Sequence, residues 1–357
     1  MEDHACLSRD ATHAAGSALF EFPAWPADRA RVCRRIRQQR ARLKIVLKTR
    51  NERQFIARWI GHHAAIVGEP NLVVFDNGSD DPEVLDVYRR HPDVTVVRFS
   101  DHPINLHHSG LYRDLYRALA EASDYVLFLD TDEFLVRIAQ DRVFADGSVL
   151  RLIEEHPGVG LFPCTWLFNA AGSATRFSCG DLAANMAFGK PLIRTAVMPI
   201  GHVNHTFQLG ARLLVPPIRT DLFLLHLRNE IPQQRIATNL NKLIAAGLAR
   251  PDHSAASVAA RGDIADPLAA RYVEEIRASL RQQGAGPAAG GPLAEDCFEI
   301  APDGAICYAG DRERAILNEF IADPARALAA LPARHRIPDV AGAGISPTGA
   351  PFGQVYF

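Results

Sequence analysis

The chain has 357 residues, 48% of them hydrophobic and 22% charged, with a formal net charge of -2. Such a composition excludes a disordered chain and leaves room for one large domain with additions, or two domains. The near-neutral balance gives no reason for a nucleic-acid partner, and six scattered cysteines (Cys6, Cys33, Cys164, Cys179, Cys297, Cys307), with no zinc-finger spacing, read as free thiols of a reducing compartment.

No apolar signal core follows the N-terminus and no apolar run is long enough to span a bilayer, so the expected location is cytoplasmic. Residues 1–28 have weak periodicity and hold Pro23 and Pro26, which suits an arm. The basic segment Arg29 to Arg42, with seven arginines, carries Val32 and Ile36, with Leu43 just beyond it, at helical spacing. It has two readings. One is a helix resting on anionic lipid, which would make the protein peripheral to the inner membrane face. The other, preferred, is a solvated helix packed on the domain by a thin apolar stripe.

Strands and helices then alternate. Leu43 to Lys48 is a predicted strand, Glu52 to Val67 a helix and Asn71 to Phe75 a strand. Pro82 to Arg90 is a helix, Val94 to Phe99 a strand, Ser109 to Glu121 a helix and Tyr125 to Leu129 a strand. This order implies right-handed βαβ units and an α/β fold with a mostly parallel sheet. The last strand, YVLFL, runs into Asp130-Thr131-Asp132-Glu133. Unpaired carboxylates are too costly for the interior, so these acids belong at the strand's carboxyl end, on the rim where open α/β sheets bind ligands. Asp130 and Asp132 at i and i+2 point the same way from an extended backbone and can hold a divalent cation; an acidic turn capping the next helix is the alternative. Thr49 to Glu52 and Asp76 to Asp81 leave strands on the same rim. Neither GxGxxG after the first strand nor GxxxxGK[ST] is present, so dinucleotide and P-loop readings lose their support.

KTRNERQFIARWIGHHAAIVG, VVFDNGSDD and YVLFLDTDEFL together resemble the front half of a family-2-like glycosyltransferase, within the bacterial group whose acidic motif reads D-x-D-E-F. Downstream, Gly189 to Arg194 resembles that group's Lys-x-x-x-Arg segment and His202 to His205 its His-rich turn. Leu225 to Arg228, with Lys242 after it, resembles a late His-Tyr-Arg segment followed by a Lys. The resemblance spans roughly Leu43 to Gly247. It implies a GT-A fold, a nucleotide-diphosphate sugar donor and a divalent metal, Mn2+ or Mg2+. By position, Thr49, Asn51 and Glu52 would lie at the nucleotide and Asp76 at its base or ribose. Asp130 would lie near the ribose and the metal, with Asp132 a metal ligand. His226 would complete the coordination, which favours manganese. Trp166, Lys190 and His205 would lie on the acceptor side.

Two departures stand out. Asn169 and Ala170 replace the small pair of a W-x-x-F-G-S-S-G segment, which bears on the acceptor side, and Leu227 replaces the Tyr after His226. Trp166 suits stacking on a sugar ring and equally suits a core. An inverting transferase needs a carboxylate base, and Asp181, Asp221 and Glu230 are candidates among which the sequence does not choose. Glu133, followed at once by Phe134 and Leu135, reads as a structural partner of the acidic loop. His62 and His63 read as structural, and His107 and His108 as either caps or crevice residues.

The expected organisation is an arm and basic helix over 1–42, a GT-A domain over 43–250, a helical extension over 251–283, a linker over 284–292 and a hairpin–helix appendix over 293–357. The expected function is metal-dependent transfer of a sugar from a nucleotide donor to a glycan or other hydroxyl acceptor, in polysaccharide biosynthesis. The alternatives are a nucleotidyltransferase and a non-catalytic carbohydrate- or nucleotide-binding protein.

Overall fold

The computed structural model describes residues 22–101, 103–170, 172–209, 219–229, 231–245, 248–250, 252–262, 267–283 and 296–323. In chain order the first elements are β1 (Ala24–Trp25), α1 (Arg29–Arg37), β2 (Ala41–Thr49), α2 (Ile56–Val67), β3 (Leu72–Asp76), α3 (Pro82–Arg90), β4 (Thr95–Phe99) and α4 (Arg113–Ala122). They are followed by β5 (Ser123–Leu129), β6 (Glu133–Ala139), β7 (Arg142–Phe144), α5 (Ser148–Glu155), β8 (Leu161–Phe168), β9 (Arg176–Ser178), α6 (Leu182–Phe188), β10 (Lys190–Arg194) and β11 (Leu222–His226). Then come α7 (Pro232–Ala245), α8 (Ala255–Ala259), α9 (Pro267–Gln283), β12 (Cys297–Ile300), β13 (Ile306–Tyr308) and α10 (Asp311–Ala322). The expected α/β class, with a helical and hairpin C-terminal part, is what the chain forms.

The chain falls into two compact units. Among the described residues the first is built within 22–166, 181–225 and 318–323, the second within 167–180 and 226–317. The first unit carries a ten-stranded sheet in the order β1-β4-β3-β2-β5-β10-β8-β11-β6-β7, with the last residues of β8 and β11 belonging to the second unit. The pairings β1–β4, β4–β3, β3–β2 and β2–β5 are parallel, while β10 is antiparallel to both β5 and β8. Both faces of the parallel part are covered, so β3 is buried throughout. The second unit has a three-stranded sheet, β13-β12-β9, and a core of Ile236, Leu243, Val258, Val273 and Ile276 from α7, α8 and α9.

Three helix bounds differ from expectation for local reasons. The basic helix ends at Arg37, and Ala41 already belongs to β2. Its Val32, Cys33 and Ile36 are buried, so its apolar stripe packs inward. Arg29 pairs with Asp114, Arg37 with Glu121, and Arg40 and Arg42 with Asp124. α2 begins at Ile56 rather than Glu52 because Glu52 opens a turn whose carbonyl accepts from Phe55 N and Ile56 N before the regular helix starts. α4 begins at Arg113, after a 3-10 turn over Pro103–His107. After the acidic turn comes strand β6, not the helix that a capping role required.

The linker 284–292, the stretch from residue 324 onward and Glu230 lie outside the described residues, as does the side chain of Lys242.

Candidate functional site

The register places the rim. Leu47 pairs with Leu129 and Thr49 with Asp76, so β2, β3 and β5 end level and their loops leave together. Side chains then couple those loops. Thr131 Oγ1 donates to Thr49 Oγ1 at 3.0 Å. The Asn51 amide oxygen accepts from the backbone of Asp80 (3.0 Å) and Asp81 (3.1 Å), and its amino group donates to Asp80 Oδ1 at 2.7 Å. Asn51 tolerates its left-handed backbone better than a β-branched residue would, and that conformation aims it across to the second loop.

Asp76 is placed otherwise than expected. It is fully buried, and its carboxylate accepts from Ser79 N, Ser79 Oγ and Tyr88 Oη, each at 2.6 Å. It shapes the turn at the head of α3 rather than facing a ligand.

The acidic turn is pinned from behind. His62 Nε2 donates to the Leu135 carbonyl at 2.7 Å, while His63 Nε2 accepts from Leu135 N at 3.2 Å. His63 Nδ1 meets the Trp59 carbonyl at 2.9 Å, which fixes the tautomer. Burial holds His63 neutral by pushing it well below its ordinary value. Glu133 is buried and accepts from Asp130 N at 2.8 Å and from Trp166 Nε1 at 2.7 Å. Burial pushes it up to about 8 against the pull of Lys190.

Two ammonium groups meet Asp130. Lys190 Nζ lies 2.9 Å from Oδ2 and Lys48 Nζ 3.1 Å from Oδ1. Burial works to raise Asp130, but Lys190 and Lys48 outweigh it and hold the carboxyl well below the usual range. Lys190 has no room to move: its side chain is 1% exposed, and Nζ also donates to Asn204 Oδ1 at 2.8 Å. The approach to it depends on Gly189, where a Cβ would stand 2.1 Å from the Cys164 carbonyl oxygen.

Behind Lys190 runs a chain of hydrogen bonds with one polarity. His205 Nδ1 lies 2.7 Å from the Phe188 carbonyl, which can only accept, so Nδ1 carries the proton. Nε2 is then an acceptor, and Asn204 Nδ2 donates to it at 2.9 Å. That orients the Asn204 amide so that its oxygen faces Lys190. Burial, with Lys190 nearby, pushes His205 down to about 3. The Trp166 ring meets the His205 ring edge-on at 5.5 Å. His107 is buried beside this cluster, and burial with Lys48 and Lys190 nearby lowers it well below its ordinary value. Among the described residues neither of its ring nitrogens has a hydrogen-bond partner.

Of the expected site residues, the first unit therefore brings together Thr49, Asn51, Asp130, Trp166, Lys190 and His205. Glu52 is half-buried and its carbonyl accepts from Phe55 N and Ile56 N, opening α2. His205 and Lys190 are not exposed acceptor contacts but the interior of one network. Asp221 is buried between Arg219 (3.1 Å) and Arg137 (3.8 Å), which removes it as a base. Asp181, at φ 52°, caps α6 by accepting from Ala184 N at 3.4 Å and is exposed. In the second unit the His226 ring packs tilted on Phe168 at 5.3 Å, with the Arg228 guanidinium 4.0 Å from the same ring.

The metal expectation meets a specific obstacle. Both oxygens of Asp130 are held by ammonium groups, and among the described residues no group of three or more His, Cys, Asp or Glu is arranged to hold a metal ion. The residues present do not fit a cation held by the protein itself. Lys48 and Asn204, which the structure adds to this network, were not among the expected site residues. For Lys48 the available signal was its place one residue before the first rim loop.

No family model matches the chain, and no curated protein matches it. Among solved structures it is similar to S. aureus TarS 1-349, at 15% identity over 70% of this chain and 75% of that one, with a TM-score of 0.32. It is similar to the mannosyltransferase PcManGT from Pyrobaculum calidifontis in complex with GDP-Man and Mn2+, at 15% identity over 73% and 82%, TM-score 0.28. A cytidylyltransferase from Leptospira borgpetersenii matches at 12% identity over 44% and 62%, TM-score 0.25. Likenesses at these scores carry no functional argument.

Proposed function

We propose that this protein is a GT-A-type glycosyltransferase that moves a sugar from a nucleoside-diphosphate donor to a hydroxyl acceptor, a glycan among the candidates. The observation that carries the reading is the coupling of three polar loops at the carboxyl ends of parallel strands β2, β3 and β5, with Asn51 joining the first to the second and Thr131 joining the first to the third. That rim is where an α/β sheet binds a nucleotide. Thr49, Asn51 and Glu52 line its nucleotide side in this reading, with Asp130 and Asp132 toward the diphosphate and Trp166 toward the sugars.

The chemistry asks for stabilisation of the departing diphosphate and removal of the acceptor's proton. Of the three base candidates, Asp181 is the one left among the described residues, exposed at the head of α6, and inversion at the sugar carbon is the outcome expected of a single displacement. The divalent cation implied by the resemblance is not used here, because the ammonium groups on Asp130 take its place in the network. No described helix is long and apolar enough to cross a membrane, and the inward packing of α1 supports the solvated reading of the basic segment.

The test is a panel of nucleotide sugars incubated with the protein, with release of nucleoside diphosphate measured with and without hydroxyl acceptors. Release from one donor, stimulated by an acceptor and abolished in Asp132→Ala, is expected. Release of pyrophosphate from a nucleoside triphosphate would move the assignment to a nucleotidyltransferase.

A further inference from the structure

Lys48 is a cation of this site with hydrogen-bond donors to spare. Lys190 spends its ammonium on Asp130 at 2.9 Å and Asn204 at 2.8 Å, with Glu133 at 3.9 Å, and is sealed from solvent. Lys48 makes one ion pair among the described residues, to Asp130 Oδ1 at 3.1 Å, and its side chain is 17% exposed. An ammonium has three N–H donors, so Lys48 has donors left after meeting Asp130. Alternation along β2 puts it on the same side as Val46, facing the acidic turn, one residue ahead of the loop that begins at Thr49. Among the described residues neither ring nitrogen of the buried His107 has a hydrogen-bond partner, and burial with Lys48 nearby keeps that ring neutral.

We propose that Lys48 is the residue that receives the diphosphate of the nucleotide, bridging a phosphate oxygen and Asp130, so that the chain itself supplies the cation the leaving group needs. Asp130 is in this view the anchor of two lysines rather than a metal ligand. Lys190, set by Phe188, His205 and Asn204, is a positioning residue: it keeps one Asp130 oxygen occupied and turns the other to Lys48. A charge-assisted hydrogen bond of this kind is about twice as strong as a neutral one, and its loss weakens binding ~10-fold or more.

The proposal rests on the glycosyltransferase reading, and calorimetry can separate the two. UDP, GDP, CDP and dTDP, and the matching nucleosides, are titrated into the full chain in EDTA and again with manganese. The same titrations are run on Lys48→Met and on Lys48→Gln, which keeps a donor for Asp130 without the charge; whichever variant retains the wild-type melting temperature carries the comparison. The expected result is one diphosphate bound by wild type in EDTA, with affinity lowered ~10-fold or more in the variant, and nucleoside affinity unchanged. If wild type binds a diphosphate and the variant binds it equally tightly, the role of Lys48 is overturned while the glycosyltransferase reading stands. If wild type binds none of the four, with EDTA or with manganese, that reading falls and takes the proposal with it.

Discussion

Lys190 and Asp130, 60 residues apart in sequence, meet at 2.9 Å as a sealed ammonium against a carboxylate that is 34% exposed. Removing one partner of a buried pair costs ~3–5 kcal/mol, because the other charge stays behind. Asp130 keeps Lys48, so Lys190→Met should cost about 3 kcal/mol, the low end of that range. Urea unfolding of the variant beside wild type measures it. Asp130→Asn added to Lys190→Met should recover part of the loss, the signature of a coupled pair. A single-variant loss within the ordinary scatter of surface changes would mean the pair contributes nothing.

Glu133 gives the fold a pH dependence on the alkaline side. Burial raises it to about 8 from an ordinary 4.5, helped by Asp130 and Asp132 and opposed by Lys190. The folded chain keeps a proton that the unfolded chain gives up. The corresponding stability is full below about 4.5 and is lost as pH rises through about 8. His62, His63, His107, His202 and His205 are all lowered, so above their ordinary 6.5 they are neutral in both states and add little slope. Denaturation midpoints of wild type should therefore fall between pH 6.5 and 8, and those of Glu133→Gln should stay flat. Parallel curves for the two proteins would place the proton elsewhere.

His205 should be silent across the same range. Its carbonyl partner fixes the Nδ1–H tautomer, and burial together with Lys190 takes it down to about 3. Nitrogen-edited NMR of histidine-labelled protein should show, beside the His63 ring that shares this tautomer, a second imidazole with Nδ1 protonated and no titration from pH 8 to pH 5, and His205→Gln should remove it. Its stability contribution has the opposite sign to that of Glu133: present above about 6.5 and lost as pH falls through about 3. A ring that titrates near its ordinary value would break the chain from Phe188 to Lys190.

Asp76→Ala should damage stability rather than ligand affinity. Three donors, Ser79 N, Ser79 Oγ and Tyr88 Oη, would be left buried without an acceptor. At ~1–3 kcal/mol each, less what relaxation and water recover, the expected loss is about 3–5 kcal/mol. Tyr88→Phe should cost less, and in the Asp76→Ala background should cost almost nothing, since its partner is already gone. Thermal melts of the three variants decide it.

How much was visible beforehand depends on the range over which each feature is set. Pro82 to Arg90 forms a helix with the bounds expected from its sequence, a proline start followed by apolar residues at helical spacing. The strand YVLFL was legible because an apolar run of branched and aromatic residues has few other uses, and its DTDE exit belonged at a rim because acids cannot stay unpaired inside. Glu133 was legible as a partner of its own loop, three residues from the Asp130 amide it accepts from. Asp76 was misjudged for a related reason: its place at a strand end was right, but Tyr88, which closes over it, comes from the second turn of the next helix.

The sequence by itself determined the alternation of strands and helices, the common rim and the acidic turn on it, because periodicity, capping and the cost of burying charge act over a few neighbouring residues. Only the tertiary structure decided what that turn faces. Lys48 lies on β2 and Lys190 on β10, the strands on either side of β5. Neither pairing carries a local sequence signal, since the neighbours of a strand are chosen by the sheet that packs around it. That choice turned Asp130 into the shared partner of two lysines, because an ion pair depends on distance in space, which separation along the chain does not set.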